Sequence, residues 1–161
     1  MGILNVEIKA KCSYPDKIRE VLNQNNARFK GKDHQIDTYF KIQKGRLKLR
    51  EGNIENSLIY YQREDQKGPK QSHIQLYRSQ KDDGLKEVLL NALEILAVVD
   101  KQREIYFVDN IKFHIDQVKG LGTFVEIEAI DETGEIGWEK LNRQCDQFIG
   151  LFEIEPGDLI S

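Results

Sequence analysis

Alternation of apolar and polar residues recurs segment after segment in this chain, and it limits the possible folds more than any other feature. Asn5-Val6-Glu7-Ile8-Lys9-Ala10-Lys11 places polar groups at odd positions and apolar groups at even ones, and Arg46-Leu47-Lys48-Leu49-Arg50 alternates strictly. A period of two sends successive side chains to opposite faces of a strand, so each segment offers one apolar and one polar face. Extended segments are predicted at residues 5–11, 34–40, 46–50, 57–63, 71–78, 98–108, 111–118 and 123–130. Turn signals fall between them at Lys44-Gly45, Gly52-Asn53, Gly68-Pro69, Asp109-Asn110 and Gly120-Leu121-Gly122. Short turns between neighbouring strands favour antiparallel pairing.

Three stretches carry a helical period instead. One follows Ser13 as cap, with Ile18, Val21 and Leu22 as its apolar stripe. A second starts near Asp82 or Asp83, with Leu85, Val88, Leu89, Ala92 and Leu93 on one face. The third covers residues 137–149, with Trp138, Leu141, Cys145 and Phe148 inward and Gly150 as its stop. About eight strands and three helices make a β-rich α+β chain. Its 161 residues suit one domain, 1–161.

The balance of 24 basic against 27 acidic residues leaves a net charge of −3, which argues against nucleic acid as a partner. No apolar run reaches the roughly 20 residues of a membrane span. Cys12 and Cys145 form no CxxC pair, so a structural zinc site has no support. Both thiols suit a reducing compartment, and a soluble cytoplasmic protein is expected. Neither a P-loop nor a GxGxxG turn offers a phosphate cradle.

The polar faces of the strands are largely ionised and sorted by sign. Arg46, Lys48 and Arg50 share one face, as do Lys101 and Arg103. Lys112, His114 and Asp116 share another, and Glu126 lies beside Glu128. Same-face neighbours sit about 6.5–7 Å apart, where like charges repel by roughly 2.5 kcal/mol at an effective dielectric of 20. Two readings stay open on these grounds. In one, the charged faces are wet and the apolar faces form an ordinary core. In the other, they point inward and hold a polyphosphate with its divalent cation, which suits both the cationic and the acidic strands.

The segments 5–9, 34–40, 46–51, 101–104 and 112–128, taken in order, resemble the CYTH superfamily, especially its class IV adenylyl cyclase-like branch, which groups with inorganic and thiamine triphosphatases. The resemblance implies an eight-stranded antiparallel closed barrel or tunnel with a charged interior and the helices packed outside. It implies a nucleoside or inorganic triphosphate bound inside with Mg²⁺ or Mn²⁺. Glu7 and Lys9 match the end of the ExExK signature on the first strand, and Asn5 stands where the first Glu belongs. Arg50, Arg63, Lys101 and Arg103 match phosphate-binding positions, with Lys11, Arg46, Lys48 and Lys112 as further substrate-binding candidates. Glu7, Asp116, Glu126 and Glu128 are the implied metal ligands, and Glu7, Lys9, Asp116 and Glu126 the catalytic set. His114 is expected to be a satisfied tunnel residue. The resemblance leaves three activities: cyclisation of ATP to cyclic AMP, hydrolysis at the γ-phosphate, or triphosphate binding without turnover. It allows a homodimer.

Overall fold

A computed structural model describes residues 2–63 and 66–161. Nine strands and three helices are found among them. The first strand, β1, is Ile3–Lys11, followed by α1 at Pro15–Gln24. Four strands come next: β2 at Arg28–Phe40, β3 at Arg46–Glu51, β4 at Asn56–Arg63 and β5 at Lys70–Arg78. After α2 at Leu85–Ala92 come β6 at Ile95–Val108, β7 at Ile111–Val118 and β8 at Gly122–Asp131. The chain continues through α3 at Trp138–Leu151 to a two-residue strand, β9, at Leu159–Ile160.

All the pairings are antiparallel, in the order β5-β4-β3-β2-β6-β7-β8-β1, and β5 pairs back onto β1. Eight strands therefore form a closed ring, as expected. β1 completes it by sharing one edge: residues 3–7 pair with β5, and Lys9 and Ala10 pair with β9. A ring of eight strands is just wide enough for side chains or one small ligand.

The helices decide which face looks inward. Val6, Ile8 and Ala10 of β1, Ile111, Phe113 and Ile115 of β7, and Val125, Ile127 and Ala129 of β8 are buried with Ile18 and Leu22 of α1 and Leu141, Cys145 and Phe148 of α3. Each Val, Ile, Leu and Phe among them contributes roughly 1.5–3 kcal/mol by burial. The apolar face is thus the outer one, covered by α1 and α3. A smaller cluster of Phe40, Leu49 and Leu89 seats α2 against β2 and β3. Charged positions are left to line the ring, which resolves the choice between wet and inward faces.

Several boundaries differ from the sequence expectation. Tyr14, not Ser13, precedes α1, and Pro15 opens it, as its locked φ allows. β2 begins at Arg28 rather than His34, because a bulge at Gly31 (φ 147°) lets residues 28–33 stay paired with β6. Gly84 precedes α2, so Asp83 lies outside it, although its carboxylate accepts from the Leu85 amide. Gly150 lies within α3, which ends at Leu151 with Phe152 as its C-cap, and the left-handed residue is Glu153. No helix of the described residues is long and apolar enough to cross a membrane.

Candidate functional site

Odd-numbered positions of β1, β2, β6 and β4, and even-numbered ones of β3, β5, β7 and β8, point into the ring. Two linked ion clusters fill its centre. Asp37 of β2 accepts a two-pronged pair of hydrogen bonds from Arg50 of β3, both 2.9 Å, and one of 2.8 Å from Lys101 of β6. Lys48 lies 3.8 Å from the same carboxylate. Burial pushes Asp37 up, but Arg50, Lys48 and Lys101 outweigh it and hold the carboxyl well below its usual range. Burial, with Arg103 and Arg50 nearby, pulls Lys101 down to about 7, although Asp37 opposes the shift. That locus carries more positive charge than its carboxylate neutralises.

In the second cluster Arg103 donates to both oxygens of Asp116 at 2.7 Å and to Glu126 at 3.3 Å. Both Asp116 oxygens are thus committed to Arg103. Lys9 is 3.6 Å from Glu126, and His114 Nδ1 is 3.2 Å from it. Burial and Arg103 lower His114 to about 4, so the ring is neutral at pH 7. Its Nε2 is buried and has no hydrogen-bond partner among the described residues, so His114 is only half satisfied.

An acidic seam follows β1 and β8. Glu7 stands directly opposite Glu128, a like-charge pair that costs stability unless a cation intervenes. Glu7 is ion-paired with Arg63, whereas Glu128 accepts no hydrogen bond from the described residues. Burial, with Glu7 and Glu126 adding to it against Lys112, raises Glu128 to about 7. One step along β1, the Asn5 amide is fully buried and neither of its polar atoms has a partner among the described residues. Among the described residues no three His, Cys, Asp or Glu side chains converge to hold a metal unaided. Hard oxygens from Glu7, Glu126, Glu128 and Asn5 suit Mg²⁺ or Mn²⁺ when phosphate and water complete the shell, as these ions normally require.

The sequence-derived candidates Glu7, Lys9, Lys48, Arg50, Arg63, Lys101, Arg103, Lys112, Asp116, Glu126 and Glu128 all face the ring. Lys11 and Arg46 lie exposed at its rim, at the same end as Lys9. Inward groups that escaped the sequence reading include four at or near these clusters. Asp37 is the hub of the first cluster, and Gln35 is fully buried beside it. Asp33 accepts from the amides of Asn53, Ile54 and Glu55 at 2.6, 2.8 and 3.0 Å. Glu55, from the β3–β4 turn, is paired with Lys112. The first three share the odd-position polarity of residues 33–39, a signal present in the sequence. Glu55 sits in a turn, where no period exists.

The family model of the CYTH domain matches residues 4–144, and the chain belongs to that family. Similar folds include the PH1012 protein of Pyrococcus horikoshii, with 21% identity, 96% of this chain and 93% of that one covered, and a TM-score of 0.74. A candidate adenylate cyclase of Vibrio parahaemolyticus aligns at 18% identity over 100% and 95% of the two chains, TM-score 0.75. HpAC1 of Hippeastrum, an adenylyl cyclase candidate with a dominant triphosphatase activity, aligns at 13% identity over 93% and 88%, TM-score 0.55. No curated protein sequence matches the chain.

Proposed function

We propose that the ring binds a linear triphosphate with a divalent cation and catalyses attack at one of its phosphorus atoms, with cyclisation of ATP to cyclic AMP and pyrophosphate as the leading activity. The observation that carries this reading is the excess positive charge around Lys101. Lys48, Arg50 and Lys101 crowd the ring centre with Asp37 as their shared counterion, and a polyanion relieves their repulsion. In the cyclase reaction the ribose 3′-hydroxyl gives its proton to water as its oxygen bonds to the α-phosphorus, the α–β bridging bond breaks, and pyrophosphate departs. Lys48, Arg50 and Lys101 bind the β- and γ-phosphates and stabilise the charge that develops on the leaving group, which is the main work of phosphoryl transfer catalysts. Arg63 and Lys9 hold the chain nearer the rim. Asp116 orients Arg103 rather than ligating metal. Glu7, Glu126 and Glu128, with the Asn5 amide oxygen, would hold Mg²⁺ or Mn²⁺. Such a cation polarises a phosphoryl oxygen and acidifies the attacking hydroxyl.

Hydrolysis at the γ-phosphorus is the second reading. The dominant triphosphatase activity of HpAC1 favours it, since the same cations serve when water is the nucleophile.

The charge argument has a direct readout. Lys101 titrates near pH 7 in the free ring, and a bound polyphosphate favours its charged form. Binding above pH 7 must therefore take up a proton, and affinity falls as pH rises, by roughly up to tenfold per unit. Calorimetric titration with tripolyphosphate between pH 7 and pH 8.5 should show that decline in the wild type and a flatter profile in Lys101→Met. Parallel profiles for the two proteins would remove Lys101 from the phosphate site.

A further inference from the structure

The two ends of the ring are built differently. At the end formed by the start of β7, the end of β6 and the β3–β4 turn, the turn folds inward. Asp33, itself fully buried, ties down the amides of residues 53–55. Gly52 makes this approach possible: a Cβ there would sit 2.6 Å from the Asp33 carboxylate and 2.7 Å from the Glu55 carbonyl oxygen. The turn thereby delivers the Glu55 carboxylate into the ring. It accepts from Gln35 of β2 at 3.0 Å, lies 3.7 Å from Arg50 of β3, and pairs with Lys112 of β7 on the far wall. In the ring order β3-β2-β6-β7 this contact crosses the lumen. Burial pushes Glu55 up, but Lys112, Arg50 and His114 outweigh it, so the carboxyl stays ionised. At the opposite end Lys11 and Arg46 are exposed.

We propose that Glu55 is a specificity-determining stop that sets the length of the phosphate chain the ring accepts. The proposal rests on the triphosphate reading above. A polyphosphate entering from the Arg46 end meets the cations of β3 in turn, ending at Arg50 beside Glu55. Arg46 to Arg50 is four residues, about 13 Å by strand rise, which accommodates a short chain but not a polymer. Any further phosphoryl group is directed at an ionised carboxylate already pinned between Lys112 and Arg50, and like charges in a desolvated site repel strongly. A chain of three phosphates ends against the cations, and a longer one must displace the stop.

The test compares tripolyphosphate with a polyphosphate of about ten or more units, each titrated calorimetrically into wild type, Glu55→Gln, Glu55→Ala and Gly52→Ala. Affinity is expressed per mole of chain. Wild type should prefer tripolyphosphate by tenfold or more. Glu55→Gln and Glu55→Ala should shrink that preference to threefold or less, mainly by gaining affinity for the long chain. Gly52→Ala keeps the carboxylate but pushes the turn off Asp33, and it should shift the preference in the same direction. Thermal melts establish that each variant is folded, and Glu55→Asp stands in for any that is not, with an intermediate preference expected. An unchanged preference in folded variants, or a wild type that binds both chains alike, overturns the stop while leaving the triphosphate reading intact. A wild type that binds neither chain overturns both.

Discussion

Replacing Arg103 with alanine should destabilise the protein as much as any single change in the ring. The guanidinium is 2% exposed, both its prongs are on Asp116, and it also reaches Glu126. Its removal strands a fully buried Asp116 carboxylate and leaves Glu126 with only Lys9 and the neutral His114. Breaking one partner of a buried ion pair costs about 3–5 kcal/mol, a large share of the 5–15 kcal/mol typical of a domain. For a chain of this size that is a melting temperature lower by roughly 10 °C or more. Thermal denaturation by circular dichroism checks it. A double variant, Arg103→Met with Asp116→Leu, removes both charges and should recover much of the lost stability, because the penalty comes from the stranded carboxylate. Tripolyphosphate binding should stay weak in that double variant. A single variant melting within a few degrees of wild type would contradict the buried pairing.

Asp37→Ala should move stability and binding in opposite directions. Asp37 is the shared counterion of Arg50, Lys101 and Lys48, so its loss leaves three cations facing one another in a desolvated space. A cost of about 3–5 kcal/mol follows from the same reasoning. The carboxylate also competes with any bound phosphate for the Arg50 and Lys101 donors. Freed of it, those donors should bind tripolyphosphate more tightly than wild type does. Since a ligand stabilises the folded state by RT ln(1 + [L]/Kd), the variant should melt lower than wild type alone but gain more on adding tripolyphosphate. Melting curves with and without the anion measure both effects. An equal gain in the two proteins would make Asp37 a structural ion-pair partner only.

Much of this ring was legible in the sequence, and the reasons can be named. Strict alternation at residues 5–11 and 46–50 assigned each side chain to a face, because a strand has only two. Alternation could not say which face was inner. That depended on where α1 and α3 pack, a long-range contact that Ile18, Leu22, Leu141 and Phe148 make with β1, β7 and β8. The resemblance to the CYTH superfamily supplied that orientation before the fold did. Asp33 went unnoticed as a site residue because its strand begins at Arg28 behind a bulge, and Phe29 is exposed despite being apolar; Asp37 lies within the predicted segment 34–40, but as a lone acid among neutral polar groups it did not mark a charged face. Glu55 was invisible for a different reason: its role comes from Asp33 reaching the turn backbone from 20 or so residues away, and no local pattern encodes that. Asp116 was assigned by resemblance to metal, whereas its geometry gives both oxygens to Arg103.

Metal-assisted chemistry on a triphosphate is the activity proposed for this ring. Phosphorus NMR of the purified protein with ATP, tripolyphosphate and thiamine triphosphate in turn, each with Mg²⁺ or Mn²⁺ and each repeated with chelator, tests it most directly. ATP should yield cyclic AMP and pyrophosphate, dependent on the cation and lost in Glu126→Gln. Orthophosphate released from tripolyphosphate or thiamine triphosphate, without cyclic product, would keep the site and transfer the assignment to hydrolysis. Unchanged spectra for all three substrates with either cation would contradict the claim.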